Sequence, residues 1–196
     1  MIEYKMEGIS LRNLVRPTND WRELLETLGG AMLLSVFIMV IIARAFTVEG
    51  LSMQPTLYNG ERVLVDKISY RFMQPARGEI IVFKYPTDPK QHFIKRIVAV
   101  SGDTVEVIDG KVFVNNQEVV EDFISDPARY GFSRQIVPAE HYFVLGDNRN
   151  NSEDSRDKRV GFVPRDLVVG RAIWRYWPLN RMSIIRKPQL FGELLE

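Results

Sequence analysis

Hydrophobic residues follow two different patterns along this chain. From Thr27 to Ala43 no residue carries a charge, and four more uncharged residues follow Arg44. Beyond residue 60 the apolar residues instead form short runs rich in valine, isoleucine and phenylalanine, separated by glycine, proline and charged residues. Branched and aromatic side chains favour strands, and runs of this length are typical of them. The pattern therefore predicts one long apolar helix followed by a mainly β domain.

The apolar segment is long enough to cross a membrane. As a helix, the 22 residues from 27 to 48 would span about 33 Å at ~1.5 Å per residue, close to the ~30 Å thickness of the hydrocarbon core. The sequence predicts a single transmembrane helix over 28–48. Lys5, Arg12, Arg16 and Arg22 favour a cytoplasmic amino-terminal arm over 1–27, which places the rest of the chain on the extracytoplasmic face of the plasma membrane.

Two other interpretations of this segment stay open. A buried helix of a soluble protein would need a larger protein to cover it, because it has no polar face. A cleavable secretory signal fits the small residues of Ala43-Arg44-Ala45, which could also be a self-processing site. We favour an uncleaved anchor, because the preceding arm is long for a signal peptide and Arg44 can extend to the lipid headgroups.

Residues 49–187 are expected to form the β-rich outer domain, with a short tail over 188–196. Asp109-Gly110 lies between alternating apolar residues, which is the strongest local signal for a β-hairpin. Residues 121–136 resemble an exposed excursion. The aromatic residues of the last run fit either a final strand or a belt at the lipid headgroups. Strands are predicted over 62–68, 79–85, 93–100, 104–114, 118–120, 141–145 and 171–179.

Composition and charge narrow the classes of function. The formal net charge of +1, with acidic and basic residues interspersed, gives no field that would attract nucleic acid. The absence of cysteine excludes thiol catalysis and cysteine-ligated zinc, and two histidines are too few for a histidine-rich metal site. We therefore expect no cofactor, no metal and no nucleic-acid partner.

Three polar features could carry chemistry. Ser52 lies between a turn-permitting Gly50 and a rigid Pro55, in a stretch that begins two residues after the apolar segment. Lys95 interrupts an apolar strand, where loss of water would lower its pKa and allow the neutral amine to act as a base. Residues 146–156 contain no aliphatic side chain. Each feature alone also fits an ordinary turn, an edge lysine or a solvated loop. Neither His92 nor His141 has an obvious carboxylate partner.

Taken in order, these segments resemble the motif set of the bacterial type I signal peptidases, also called leader peptidases. The resemblance extends over about residues 29–178 and includes the apolar segment. Glycine rather than serine at position 50 resembles the Gram-positive-like branch. The motifs are Ser52-Met53-Gln54-Pro55-Thr56-Leu57, Gly60-Glu61-Arg62-Val63, Lys95-Arg96-Ile97-Val98, Gly102-Asp103 and the polar block from Gly146 to Arg156.

The resemblance implies a membrane-anchored serine endopeptidase with a Ser-Lys dyad and a β-rich, partly barrel-like catalytic domain. Ser52 would be the nucleophile, Lys95 the general base, and Ser152 would hydrogen-bond the Lys95 amine. The oxyanion would be bound by the Ser52 N–H and by the backbone of Gly50 or a water. Ion pairs near the site would come from Arg96, Asp147, Asp154 and Arg156. The substrates would be exported preproteins, cut after small residues at positions −1 and −3.

Two alternatives belong to other classes. A membrane-tethered β-rich module could bind partners without any chemistry, and Ser52 and Lys95 would then be dispensable for its activity. A self-cleaving Ser-Lys protein related to phage-type repressors is the second alternative, but such proteins lack the apolar segment. Cleavage of an added preprotein distinguishes both alternatives from a signal peptidase.

Overall fold

The structure is a computed structural model that describes residues 21–188, and it divides between residues 39 and 40 into two compact units. Helix α1 spans Trp21–Ile42. The transmembrane helix was predicted over 28–48, whereas α1 ends at Ile42, because Ala43–Thr47 forms strand β1 and pairs with the next strand. The predictions for residues 1–20 of the arm and 189–196 of the tail lie outside the described residues.

Within residues 21–188, no helix is both long and apolar enough to span a bilayer.

Twelve strands follow α1 in the described part of the chain, and every pair of neighbouring strands is antiparallel. The mainly β class is therefore confirmed. Single-turn 3-10 helices lie at Ser69–Arg71, Arg165–Leu167 and Leu179–Arg181. The strands are β1 (Ala43–Thr47), β2 (Arg62–Asp66), β3 (Ile80–Tyr85), β4 (Asp88–Val100), β5 (Thr104–Ile108), β6 (Lys111–Val114), β7 (Gln117–Glu118), β8 (Phe132–Ile136), β9 (His141–Leu145), β10 (Val163–Pro164), β11 (Val168–Trp177) and β12 (Ser183–Ile184).

The strands form two sheets. The larger has the order β1-β2-β11-β3-β4-β9-β10, with β12 added to β11, and the smaller has the order β7-β6-β5-β8. Strands β1 and β10 do not pair with each other in the described part, so the larger sheet stays open and the expected partial barrel is not closed by hydrogen bonds. Strand β4 has different partners along its length. Lys95 and the residues before it pair with β3 alone, whereas Arg96 pairs with both β3 and β9.

The core explains why β3 is almost continuously apolar. Ile80 and Val82 pack into a cluster with β2 and β11, whereas Ile81 and Phe83 pack into a second cluster with β9. Successive side chains of a strand point to opposite faces, so a strand covered on both faces needs apolar residues throughout. A third cluster lies between the smaller sheet and strands β4 and β9.

The predicted hairpin at Asp109-Gly110 is confirmed as β5 and β6. Asp109 and Gly110 have φ values of 49° and 80°, as the tight two-residue turn requires. The predicted exposed excursion over 121–136 is partly wrong. Its last residues form β8 and pair with β5, and Ala128 in its centre is buried. The polar residues of this segment hid a strand in which every side chain except the half-buried Phe132 is exposed.

A buried ion pair joins the motif that begins at Lys95 to the polar block that begins at Gly146. Arg96 of β4 donates from Nε and Nη2 to the two carboxylate oxygens of Asp147, at 2.8 and 2.6 Å, and both side chains are almost fully buried. Arg96 also donates to the Gly78 carbonyl, and its guanidinium lies 4.1 Å from the ring centre of Phe123. The pair therefore ties β4 to the polar segment after β9.

Replacement of Asp147 by alanine should strongly destabilise the domain. Asp147→Ala leaves the buried Arg96 charge without its carboxylate, which costs about 3–5 kcal/mol. Asp157→Ala is the matched control, because Asp157 also binds an arginine through both oxygens but lies at the surface, and its loss should change stability little. Urea unfolding of both variants measures the difference, and equal midpoints would contradict a structural role for the buried pair.

Candidate active site

Ser52 lies on the segment between β1 and β2, which we call the nucleophile loop (residues 49–60). Met53 and Leu57 are buried and anchor this loop in the cluster formed with β2, β3 and β11. The two ends of the loop are held together by hydrogen bonds from Val48 N to Glu61 O and from Gly60 N to Val48 O, both 2.8 Å. The two buried side chains that follow Ser52 and the hydrogen bonds at the ends of the loop thus hold the half-buried Ser52 in place.

Lys95 reaches Ser52 from β4. Its side chain is only 4% exposed, and its Nζ donates to Ser52 Oγ at 2.8 Å and to the Ile94 carbonyl at 3.1 Å. The ring centre of Phe93 lies 5.1 Å from the same nitrogen. The sequence predicted that Ser52 and Lys95 act together, and the fold brings these two side chains into contact although they are far apart in the chain.

The surroundings of Lys95 change its acidity. Burial lowers the pKa of Lys95 from its usual 10.5 to about 8, although the negative charges of Asp154, Glu153 and Asp147 act in the opposite direction. Loss of hydration is the larger effect, because a buried ammonium lacks the water that stabilises its charge. At neutral to mildly alkaline pH a substantial fraction of Lys95 is therefore a neutral amine that can accept a proton.

The polar block after β9 covers the nucleophile loop. Asn148 donates from its backbone N to the Ser52 carbonyl at 2.9 Å and from Nδ2 to the Leu51 carbonyl at 3.2 Å. Gly146 lies so close that a Cβ built on it would come within 2.5 Å of the Ser52 carbonyl oxygen and would overlap Ser152 Oγ. Glycine is needed at position 146 because of this close approach.

Ser152 lies beside these atoms but does not make the hydrogen bond that the resemblance implied. Its Oγ is buried and has no hydrogen-bond partner among the described residues. Its side chain faces Gly146, next to the Ser52 carbonyl. The expected hydrogen bond between Ser152 and the Lys95 amine is thus not formed, and Lys95 Nζ donates to the Ile94 carbonyl and to Ser52.

The four charged residues predicted near the site form two separate pairs. Arg96 binds Asp147 as described above, and Arg156 binds Asp154 through Nε and Nη2, both at 2.8 Å. Asp154 also accepts from the Gly146 N–H at 3.1 Å. Only the first pair joins the two motifs, whereas the second lies within the polar block and fixes its turn.

Three other residues contribute to the site and were missed in the sequence. Arg149 is fully buried, binds Glu121 through both carboxylate oxygens and donates to the Gly146 carbonyl at 3.1 Å. Thr56 donates from Oγ1 to Asp147 at 2.5 Å, which links the nucleophile loop to the Arg96 pair. Glu121 could not be identified because it lies in the segment that was expected to be exposed. Thr56 lies within a quoted motif, but nothing in the sequence indicated its partner.

The oxyanion region differs from the expectation. Gly50 has a φ of +88°, and its N–H donates to Asn59 Oδ1 at 2.8 Å. The Gly50 backbone therefore cannot supply its N–H to an oxyanion without losing that bond. The Ser52 N–H, in contrast, donates to no acceptor among residues 21–188.

Neither histidine contacts Ser52. His92 packs against Phe46, with ring centres 5.5 Å apart, and His141 Nδ1 lies 2.7 Å from the Ala139 carbonyl. The expectation that histidine is not the base agrees with these positions.

A cleft of about 720 Å³ opens beside the Ser52 and Lys95 pair. One wall is β1, whose far edge has no strand partner among residues 21–188, and the other is the first half of β4, which pairs within the same residues with β3 alone. Between these walls the floor is apolar and is formed by Phe46, Val63, Val82 and Ile94. The cleft therefore offers two unpaired strand edges above a hydrophobic floor, and it ends at the candidate nucleophile.

The chain is similar to known proteins over most of its length. The family described as "Signal peptidase, peptidase S26" matches residues 21–177. The chain is 43% identical to "Probable signal peptidase I-2" of Synechocystis, over 86% of this chain and 79% of that protein. It is 41% identical to "Signal peptidase I" of Leptolyngbya laminosa, over 84% of this chain and 83% of that protein.

Two further relatives come from Gram-positive bacteria. "Signal peptidase I T" of Bacillus subtilis is 33% identical, over 85% of this chain and 91% of that protein. A solved signal peptidase I from Enterococcus faecalis is 32% identical and covers 50% of this chain and 97% of that one, with a TM-score of 0.44. These identities do not assign the chain to the Gram-positive-like branch. Because the family match spans most of the chain, this protein belongs to the signal peptidase family, peptidase S26.

Proposed function

We propose that this protein removes signal peptides with a Ser-Lys dyad in which Ser52 is the nucleophile and Lys95 the general base. The observation that carries the proposal is the 2.8 Å distance between Lys95 Nζ and Ser52 Oγ. A base must lie within hydrogen-bond reach of the proton that it removes, and its pKa should be near the working pH. Lys95 meets both conditions because its burial lowers its pKa to about 8.

In the proposed reaction the neutral Lys95 amine takes the Ser52 hydroxyl proton as Oγ attacks the carbonyl carbon of the residue before the cut. The resulting ammonium gives that proton to the leaving amine when the peptide bond breaks, which leaves an ester on Ser52. Lys95, neutral again, takes a proton from water, whose oxygen attacks the ester. The same proton returns to Ser52 Oγ as the signal peptide leaves, so the enzyme is regenerated.

The negatively charged oxygen of the tetrahedral intermediates needs hydrogen-bond donors. We assign one donor to the Ser52 N–H, which has no acceptor among the described residues. The Gly50 N–H is not assigned, because it binds Asn59. Position 50 also lacks a hydroxyl. A single such donor contributes about 3–4 kcal/mol to catalysis in other serine proteases.

Ser152 is assigned a role in orienting the protonated Lys95 during turnover. Its buried hydroxyl has no partner in the resting structure, and a buried polar group without a partner is costly. A positive charge formed on Lys95 during the reaction would favour a hydrogen bond from the ammonium to this oxygen. We propose that Arg96, Asp147, Asp154 and Arg156 hold the surrounding loop in place for this contact.

The cleft suggests how a preprotein is recognised. An extended segment can add to an exposed strand edge through main-chain hydrogen bonds, and side-chain pockets then provide specificity. The unpaired edges of β1 and β4 face the cleft from opposite sides. We propose that the residues before the cut occupy this cleft, with small side chains at −1 and −3 against its apolar floor.

Membrane attachment through α1 completes the proposal. Leu24, Leu25, Leu33 and Leu34 are more than half exposed, which is unusual for so many leucines in one helix unless they face lipid. The absence of charged residues from Thr27 to Ala43 also supports contact of this helix with lipid. An amino terminus in the cytoplasm would place the cleft on the outer face, where exported preproteins emerge.

Removal of either member of the dyad should abolish cleavage. Purified Ser52→Ala and Lys95→Ala proteins, incubated with a preprotein, should lose at least about 10³-fold in kcat/KM while remaining folded. Ser133→Ala and Lys67→Ala are matched controls, since both residues are exposed and lie outside the cleft. Mass spectrometry of the products locates the cut. Wild-type turnover by either dyad variant would refute the assignment, and absence of cleavage by the wild type would favour a binding module.

The rate should increase with pH as Lys95 loses its proton. Below the Lys95 pKa of about 8, the neutral fraction falls about tenfold per pH unit, so kcat/KM should fall equally and reach a plateau above that pKa. A peptide without ionisable groups near the cut removes substrate titration from the profile. His92→Gln is the control and should keep the same midpoint, because His92 does not contact Ser52. A flat profile between pH 6 and 9 would contradict the role of Lys95.

Attachment to the membrane is testable with charge substitutions. When the full chain is expressed in bacteria, sodium carbonate should not extract it from the membrane fraction. Leu33→Lys combined with Leu34→Lys should increase extraction, because each charge near the bilayer centre costs about 2.5–3.5 kcal/mol. Leu24→Lys combined with Leu25→Lys is the matched control nearer the helix start, where long cationic side chains reach the headgroups. Extraction of the wild type by carbonate would overturn the anchor.

A further inference from the structure

Cationic side chains surround the end of the cleft that lies away from Ser52, which we call the outer end. Arg44 of β1 and Lys90 and His92 of β4 line it from opposite walls. Lys84 of β3 is the cross-strand partner of His92. These residues are exposed, and none of them belongs to the Ser52 and Lys95 site.

Contacts across the cleft bring these groups together. The Arg44 guanidinium carbon lies 5.2 Å from the ring centre of Phe46, and the Phe46 ring lies 5.5 Å from that of His92. Residues of β1 thus touch residues of β4, although the two strands are not neighbours in the sheet. Burial lowers the pKa of His92, and the charges of Arg44 and Lys84 lower it further, as expected for cations within a short distance.

The cations of the outer end are not neutralised. Within residues 21–188, no carboxylate forms an ion pair with Arg44, Lys84 or Lys90. Asp88 is nearby, but its oxygens accept from the Lys90 backbone N at 3.3 Å and from Gln91 Nε2 at 2.9 Å. The two carboxylates that line the cleft, Glu49 and Glu153, lie at the Ser52 end, where Glu153 accepts from the Tyr85 hydroxyl.

The charge of the cleft therefore changes along its length. Glu49 and Glu153 lie with the dyad at the end where the peptide is cut, and unpaired cations lie at the other end. Low-dielectric walls, such as the apolar floor here, strengthen the interaction of such charges with a ligand that lies between them. A peptide that runs through the cleft meets this positive field at its upstream residues.

Strand geometry identifies those residues. Lys95 and His92 are three positions apart on β4, which corresponds to about 10 Å at ~3.3 Å per residue. A peptide that extends along β4 with residue −1 at Ser52 has residue −4 at about the level of His92. Residues −4 and −5 then lie closest to Arg44, Lys84 and His92.

From these observations we propose that the outer end of the cleft is a subsite for acidic side chains at positions −4 and −5 of the substrate, and that it disfavours lysine and arginine there. The inference rests on the proposed function, because it assigns the residues before the cut to the cleft. The subsite acts on specificity alone, since none of its cations reaches the bond that is cut.

Three peptides that differ only at −4 and −5 test the subsite. They carry Asp-Asp, Asn-Asn or Lys-Lys at these positions, and the full-length protein is assayed in a neutral detergent at low ionic strength. The wild type should cleave the Asp-Asp peptide at least about fivefold faster in kcat/KM than the Lys-Lys peptide. The ratio should fall towards 1 in 0.5 M salt, because exposed charges are screened.

Substitutions assign the effect to the cations of the cleft. Arg44→Gln combined with Lys90→Gln should bring the Asp-Asp to Lys-Lys ratio close to 1, and Lys90→Glu should reverse the preference. Lys67→Gln is the matched control, because Lys67 is exposed but lies outside the cleft, and it should keep the wild-type ratio. A wild-type ratio near 1, or a ratio that the double variant leaves unchanged, overturns the subsite.

Two other outcomes are distinguishable. If the wild type cleaves none of the three peptides or the parent preprotein, the proposed function and the subsite both fail. If it cleaves all three equally, the function stands and only the subsite fails. Anionic lipid headgroups carry the same kind of charge, so binding to phosphatidylglycerol vesicles is measured in parallel. Weaker vesicle binding by the double variant together with an unchanged peptide ratio assigns the cations to lipid and overturns the subsite.

Discussion

The contact between Lys95 and Ser52 depends on keeping a lysine in a place where its charge is poorly hydrated. Lys95 lies on a strand whose neighbours are almost all buried, so its amine can approach the serine only at the cost of its hydration. That cost lowers the pKa of Lys95 and makes the amine available as a base. Burial of Lys95 thus lowers the stability of the fold at neutral pH, and the same burial makes the amine a better proton acceptor for Ser52.

Unpaired acidic residues around the site would prevent Lys95 from acting as a base. A buried carboxylate raises the pKa of a nearby lysine and keeps the lysine protonated, and Asp147 and Asp154 do act on Lys95 in that direction. Each is bound by an arginine through both oxygens, and Glu121 is bound in the same way by Arg149. These ion pairs fix the polar block over the nucleophile loop and, at the same time, limit the negative field that Lys95 experiences.

Much of this arrangement was predictable because it depends on local patterns. Alternating apolar residues and Asp109-Gly110 predicted the hairpin, whereas the interrupted apolar strand made Lys95 only a candidate until the resemblance to a known family singled it out. Contacts that depend on packing were not predictable. The pairing of Asp147 with Arg96, the bond between Gly50 and Asn59, and the unpartnered Ser152 hydroxyl all require the relative positions of segments that are distant in sequence. Strand β8 was missed for a related reason, since its exposed edge residues have the composition of a loop.

The open edges of β1 and β4 connect the site with the behaviour of the whole domain. An unpaired edge is a place where a second copy could add and start aggregation, and proteins commonly protect such edges with charged side chains. Arg44 on β1 and Lys90 on β4 carry the same charge in every copy, so two copies repel each other at these edges. An extended peptide without that charge is not repelled. The cations can therefore leave the edges open for a substrate while opposing self-association, which explains how a domain can keep two strand edges unpaired beside its active site.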